Sequence, residues 1–284
     1  MGEHEYKRLA IDTIHPILTL LGPERGREFL HNLINMYLKL SRVTTLLLVE
    51  LSYGVERIGF GYEEFITDAV IALGYEEYRG VTRRILEVRK CRWSPSTRIS
   101  SEFIMGENGI LLYTPYTGEI RGTFRLEETH STGVPELDEM LGGGIPKGAV
   151  VLVAGPSGTG KSMLALSAII AEARRGGKPL YITFEESTDQ VNYIASVMGY
   201  REKLSIMNFS PMLFTPGGLY YFVTKTMEKE KSTLVVLDGL LALERHFGDD
   251  AIELVRSITL WARAWGITCI LTTIQDVWGA RIRG

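Results

Sequence analysis

The stretch Gly155-Pro156-Ser157-Gly158-Thr159-Gly160-Lys161-Ser162 fits the pattern G-x-x-x-x-G-K-[ST] in full. It lies between an apolar run fit for a strand and a segment fit for a helix. Such a loop exists to hold phosphate. Its glycines let backbone N–H groups converge on phosphate oxygens, and the helix that follows adds the partial positive charge of its N-terminus. Lys161 reaches toward the β- and γ-phosphates, and the Ser162 hydroxyl is placed to ligate Mg²⁺. Together Gly155, Pro156, Ser157, Gly158, Thr159, Gly160, Lys161 and Ser162 predict a site for a purine nucleoside triphosphate with Mg²⁺, read as ATP.

Two further groups of acids complete that chemistry. Asp238 closes the apolar run Thr233–Leu237 and is placed to hold Mg²⁺ through its water shell as a Walker B acid. Asp12 closes a similar run, Arg8–Ile11, and competes for the same role. Asp238 is favoured because it follows its own P-loop and closes the shorter loop. Glu185 and Glu186 directly follow the apolar run Leu180–Phe184. Ligands of parallel α/β sheets sit at the carboxyl ends of strands, so one of this pair can orient and polarise an attacking water.

A basic run from Arg79 to Arg98 holds Arg79, Arg83, Arg84, Arg89, Lys90, Arg92 and Arg98 against a single acid, Glu87. Three readings stay open: a solvated strand face, contact with nucleic acid, or basic fingers aimed at a neighbouring subunit's phosphates. Over the 284 residues the formal net charge is −3, which rules out a globally basic nucleic-acid coat. Hydrophobic residues at 45% and charged residues at 23% are those of an ordinary globular chain with a sizeable core. Cys91 and Cys269 lie far apart without metal-ligand spacing and read as reduced thiols. The acidic start Met1-Gly2-Glu3-His4-Glu5 lacks the features of a signal peptide, and the longest apolar runs are strand-length. The expectation is a cytoplasmic protein with no membrane segment.

The elements that must position these residues follow from periodicity. Strands are predicted at Arg8–Ile11, Thr44–Leu51, Thr67–Ala72, Thr82–Val88 and Gly109–Tyr113, with an amphipathic helix over Arg25–Leu40. Thr82–Val88 and Gly109–Tyr113 suggest antiparallel hairpins. From Ser131, read as the N-cap of a short helix through Leu141, single helices alternate with strands. Strands are expected at Val150–Ala154, Leu180–Phe184, Thr233–Leu237 and Thr268–Thr273. The helices between them fall at Lys161–Arg175, after the capping box of Ser187 and Gln190, at Leu219–Glu230 and at Ala251–Trp265. This alternation implies an α/β fold with a mostly parallel, doubly wound sheet.

One pattern is internal. Leu9–Val49 repeats as Leu234–Thr272, each copy reading strand, Asp, loop, amphipathic helix, strand, with Asp12 and Asp238 226 residues apart. The chain therefore samples two copies of one α/β domain, each incomplete. Val150–Ala154 would be left as an apolar edge, and Thr67–Ala72 is expected to pair beside such a P-loop strand, in the same chain or in a neighbour by swapping.

These residues resemble the KaiC family within the RecA-type ATPases. The similarity runs from Ser131-Thr132-Gly133-Val134-Pro135-Glu136-Leu137-Asp138 through Leu141-Gly142-Gly143-Gly144-Ile145-Pro146-Lys147-Gly148, the P-loop and Tyr181-Ile182-Thr183-Phe184-Glu185-Glu186-Ser187. The N-terminal part resembles the back half of a preceding repeat, from Asp12 through Phe65-Ile66-Thr67-Asp68-Ala69-Val70 to Ile85–Arg92. The resemblance implies a RecA-like P-loop fold sampled as two incomplete repeats. Residues 1–128 would be the back half of a first repeat without a P-loop, and residues 129–284 the front half of a second. It makes Glu185 and Glu186 the catalytic carboxylates. It also matches Lys90 and Arg92 to an element that reaches the nucleotide of the adjacent subunit, although the family's following histidine is absent here.

By the same resemblance the protein is a slow Mg²⁺-dependent ATPase. It would act as a homo-oligomer, a hexameric ring in the full-length form, whose nucleotide state controls assembly or the binding of an unnamed protein partner. Two alternatives accompany this reading: a recombination or DNA-repair ATPase of RecA type, with nucleic-acid binding not favoured, and a nucleotide-binding regulator of low turnover.

Overall fold

The computed structural model of the protein describes residues 6–38, 40, 43–50, 61–94, 99–107, 109–113 and 125–274. Arg98, the last member of the basic run, lies outside the described residues. Two compact units emerge, one of residues 1–74 and 86–100, the other of residues 75–85 and 101–284.

In the first unit, β1 (Arg8–Ile11), α1 (His15–Asn32) and β2 (Thr44–Leu47) form a β-α-β unit with β1 parallel to β2. The helical segment starts ten residues earlier than the periodicity of Arg25–Leu40 indicates. His15-Pro16 opens it, Gly22 at φ 73° followed by Pro23 interrupts it, and Leu33–Leu38 continues as a π-helical stretch. Ile14, Leu18, Leu30 and Ile34 form its core, against Leu47, Tyr62 and Ile66. A short α2 (Glu63–Ile66) then leads into β3 (Ala69–Tyr78).

β3 turns into β4 (Val81–Cys91) through Arg79-Gly80, both at positive φ (50° and 83°), the turn geometry that matches strand twist in a two-residue hairpin. β5 (Ile99–Gly106) and β6 (Gly109–Leu112) form a second hairpin, and β3 to β6 stand in sequence order in one sheet. Ala69–Ala72, the part of the expected strand Thr67–Ala72 that falls in β3, thus has β4 as its partner on one edge. The two-residue turn closes this ladder at low loop-closure cost.

In the second unit, β7 (Arg125–His130), α3 (Pro135–Met140) and β8 (Ile145–Lys147) precede the P-loop strand. Ser131 does not cap α3, which corrects that expectation. The helix begins at Pro135, whose fixed φ suits the first helical position, with Val134 as its N-cap. The Ser131 hydroxyl donates to Asp138 at 2.5 Å, and Thr132 donates to the same carboxylate through its N–H and hydroxyl at 2.7 and 2.6 Å. These bonds hold the Asp138 carboxyl below its usual range against the opposing effect of burial.

β9 (Val150–Gly155), α4 (Lys161–Arg174), β10 (Pro179–Thr183), α5 (Thr188–Val197), β11 (Ser205–Asn208), α6 (Pro216–Glu230), β12 (Leu234–Asp238), α7 (Leu240–Phe247), α8 (Asp250–Ala264) and β13 (Thr268–Ile274) build the main layer. The sheet is all parallel, in the order β11-β10-β12-β13-β9. Alternate residues feed two cores, as a sheet covered on both faces requires. Leu180, Ile182, Val235, Leu237, Cys269 and Leu271 pack with α6, α7 and α8. Tyr181, Leu234, Val236 and Ile270 pack with α4 and α5. The doubly wound α/β arrangement read from the sequence is therefore the one adopted. β9 is an edge strand among the described residues, and its Leu152 is 55% exposed.

Glu102 on β5 is buried at the N-terminus of α6. It accepts from the Thr215 hydroxyl and from the Gly217 N–H at 3.1 Å, and lies 3.3 Å from the Arg83 guanidinium. Two donors would lose their acceptor and Arg83 an ion-pair partner in Glu102→Ala, which is expected to lower unfolding free energy by about 2 kcal/mol. Urea denaturation checks this. Glu102→Gln should lose less, because it keeps an acceptor for Thr215.

Candidate functional site

β9 delivers the chain to the phosphate loop and α4 carries it away. Gly158 and Gly160 hold φ of 79° and 89°, a region that side-chain-bearing residues avoid, so the turn depends on glycine there. The Thr159 hydroxyl and the Lys161 ammonium both donate to the Pro156 carbonyl, at 2.9 and 2.7 Å. No side chain caps the N-terminus of α4 and no acid sits in its first turn. Its first N–H groups are therefore donors suited to an anion.

Ser162, one residue further, donates to Asp238 Oδ1 at 3.1 Å. The register of the sheet brings this about. Asp238 ends β12 opposite Thr183 of β10, and β12 and β9 flank β13. Asp238 is 4% exposed and receives two more hydroxyls: Tyr181 donates to Oδ2 at 2.5 Å, and Thr272 donates to Oδ1. The Thr272 hydroxyl in turn accepts from the Gly239 N–H at 2.9 Å, so its own proton is directed at Asp238. Burial and then the Asp238 charge push the Tyr181 hydroxyl well above the ordinary tyrosine range, keeping it a donor.

Glu185 and Glu186 leave β10 at the same end of the sheet. The Thr183 hydroxyl accepts from both of their N–H groups, at 3.3 and 2.9 Å, and so shapes the turn that presents them. The Ser187–Gln190 capping box forms as expected, at 3.2 and 2.9 Å, and starts α5 directly behind the pair. Gly239 makes room for Glu185, since a Cβ there would stand 3.1 Å from its Cγ. Burial first, then the charges of Asp238 and Glu185, raise the Glu186 carboxyl above its ordinary value. Its Oε2 is buried without a protein hydrogen-bond partner.

Phosphate loop, Ser162, Asp238, Glu185 and Glu186 thus converge at one end of one sheet. The donors suit Mg²⁺, which prefers hard oxygen ligands and keeps several waters. A hydroxyl and a carboxylate lie side by side, and the orphaned Glu186 oxygen can accept from a water. Among the described residues no cluster of His, Cys, Asp and Glu offers an all-protein metal cage.

Asp12, the competitor for the metal role, follows β1 in the other compact unit. Lys90 and Arg92 are in that unit as well, engaged with the segment that leads into β3. Lys90 donates to the carbonyls of Glu64 and Thr67 at 2.6 and 2.7 Å, and Arg92 to the Asp68 carboxylate at 3.0 Å. Tyr181 and Thr272 are site residues that motif and spacing do not single out. The one signal for Tyr181 is a tyrosine inside a fully buried strand, whose hydroxyl needs a partner.

A parallel sheet with a P-loop after β9 and acids at the ends of β10 and β12 defines a RecA-like P-loop ATPase fold. A family model described as "ATPase: KaiC" matches residues 1–116 and 130–282, and the chain belongs to that family. Among curated relatives, the circadian clock protein KaiC2 of Synechocystis sp. is 39% identical over 46% of this chain and 23% of its own length. The circadian clock oscillator protein KaiC of Prochlorococcus marinus is 32% identical over 96% of this chain and 56% of its own. For KaiC of Acaryochloris marina the figures are 28%, 97% and 54%. The chain thus spans between about a quarter and just over half of these relatives. No helix among the described residues is long and apolar enough to cross a membrane.

Proposed function

We propose that the chain binds Mg²⁺·ATP on the loop 155–162 and hydrolyses it slowly, its nucleotide state governing assembly into a ring or binding of a protein partner. The observation that carries this reading is the Ser162–Asp238 contact beside the orphaned Glu186 carboxylate, at the mouth of an uncapped helix. Lys161 and the backbone N–H groups hold the phosphates. Ser162 and Asp238 hold Mg²⁺, which when bound neutralises charge on the phosphate oxygens. Glu185 and Glu186 orient the attacking water. Residues 1–128 and 129–284 are read as parts of two repeats, supported by the matching strand–Asp–helix–strand patterns around Asp12 and Asp238. For Lys90 and Arg92 to reach a neighbouring nucleotide, they would have to give up their bonds to Glu64–Asp68.

Asp238→Asn tests the metal role. ATP should still stabilise the variant against heat, but the Mg²⁺ concentration for half of that stabilisation should rise about tenfold or more. An unchanged Mg²⁺ dependence removes Asp238 from the metal site.

A DNA-repair ATPase is disfavoured by the partners of the basic run. Arg83 faces Glu76 and Glu102, Arg89 faces Glu64 and Glu87, and Arg92 faces Asp68. Steeply salt-dependent binding of single-stranded DNA would reverse that preference.

A further inference from the structure

Tyr181 sits two residues before the end of β10, paired with Val236, and its ring lies in the core under α4. Side chains of a strand lean along its direction, which lets the hydroxyl reach past Val236 to Asp238. It is 1% exposed, and the carboxylate it meets is 4% exposed, so neither has water as an easy substitute partner. The bond of 2.5 Å falls on Oδ2, while Ser162 and Thr272 both approach Oδ1. The carboxylate is held from two sides, and its plane and rotamer are set by Tyr181 on one of them.

We propose that Tyr181 is a positioning residue for the metal site: its hydroxyl anchors Oδ2 of Asp238 so that Oδ1 stays on the Ser162 hydroxyl, the pair that would hold the cation. This rests on the reading of Asp238 as the metal acid. A phenylalanine in this place would fill the same core volume, so the apolar environment alone does not call for the hydroxyl. Without it, Oδ2 is a buried acceptor with no donor, and the carboxylate can turn away from Ser162 to seek one.

The test uses Tyr181→Phe, Asp238→Asn and the double variant, each followed by thermal stabilisation with fixed ATP and increasing Mg²⁺. Tyr181→Phe should raise the half-stabilising Mg²⁺ concentration about tenfold, at the low end of losses for groups that orient a metal ligand. The stabilisation reached at saturating Mg²⁺ should stay near wild type, whereas a lesion that merely weakens the fold would lower the ligand-free midpoint and leave the half-point where it is. In the double variant the half-point should lie well short of the product of the two single shifts, because Tyr181 acts chiefly through that carboxylate, with the Ser162 hydroxyl as its second neighbour. If Asp238→Asn shifts the half-point and Tyr181→Phe does not, the positioning role is overturned while the metal role stands. It is overturned equally if the two shifts multiply in the double variant. An unshifted Asp238→Asn overturns the underlying assignment instead, and the positioning role with it.

Discussion

Lys161→Ala is expected to abolish the stabilisation that Mg²⁺·ATP confers on the folded chain. At a ligand concentration of about 100 times Kd, binding adds roughly 2.7 kcal/mol to the stability of the wild type. For a chain of this size that raises the thermal midpoint by about 5–10 °C. The free Lys161 ammonium donates to the Pro156 carbonyl, across the loop that would cradle the phosphates. Bound nucleotide offers it phosphate oxygens instead, a charge-assisted bond stronger than one to a neutral carbonyl. Alanine removes that cation, while the uncapped start of α4 and the glycine backbone of the loop remain. Differential scanning fluorimetry with and without Mg²⁺·ATP reads the result. A variant that keeps the wild-type shift would refute the phosphate role of Lys161. The midpoint without ligand should change little, because the bond that alanine removes is an exposed one to a loop carbonyl.

The parts of this site that can be read from sequence are those whose information is local. The phosphate loop announces itself because its strand, glycines and helix are contiguous. Ser187 and Gln190 announce the start of α5 because a capping box needs only a spacing of three. Asp238 is placed at a strand end by the apolar run before it. Distance in sequence is where legibility ends. Glu102 supports α6 from more than a hundred residues away, and nothing near Glu102 in the chain marks that. Ser131 resembles a cap because serine accepts hydrogen bonds at helix starts, yet Asp138 recruits its proton and Pro135 sets the helix start further on. The short α7, Leu240–Phe247, escapes periodicity because Gly239 follows the strand so closely that no separate start signal intervenes. The pairing of β3 with β4 depends on the Arg79-Gly80 turn, and Arg-Gly is not among the Asn-Gly, Asp-Gly and Gly-Gly pairs that announce a two-residue hairpin. The fold class survives these errors because it depends on alternation between strands and helices rather than on any one boundary.

Glu185→Gln and Glu186→Gln are expected to leave ATP binding intact and to cut turnover by about a hundredfold or more in at least one of the two variants, a typical loss for a missing general base. The geometry distinguishes the pair. Glu185 rests on Gly239, whereas Glu186 has a buried carboxylate oxygen without a protein partner and faces the charge of Asp238. A base must be ionised to accept a proton from water. If Glu186 serves as that base, wild-type turnover should fall as pH drops through its elevated carboxyl pKa, and this acid limb should vanish from the residual activity of Glu186→Gln. Stability gives an independent reading with a definite sign. Because the folded pKa of Glu186 is raised, the folded state binds its proton more tightly than the unfolded chain does. The stability this contributes is present below the unfolded pKa and lost as pH rises through the folded one. At neutral pH the ionised carboxylate is therefore a burden on the free protein, and Glu186→Gln should raise its thermal midpoint while depressing catalysis. Gain of stability with loss of turnover is the pattern of a group placed for chemistry rather than for folding. Wild-type turnover in both single variants would reduce the pair to acids at the start of α5, where negative charge is favoured by the helix end alone.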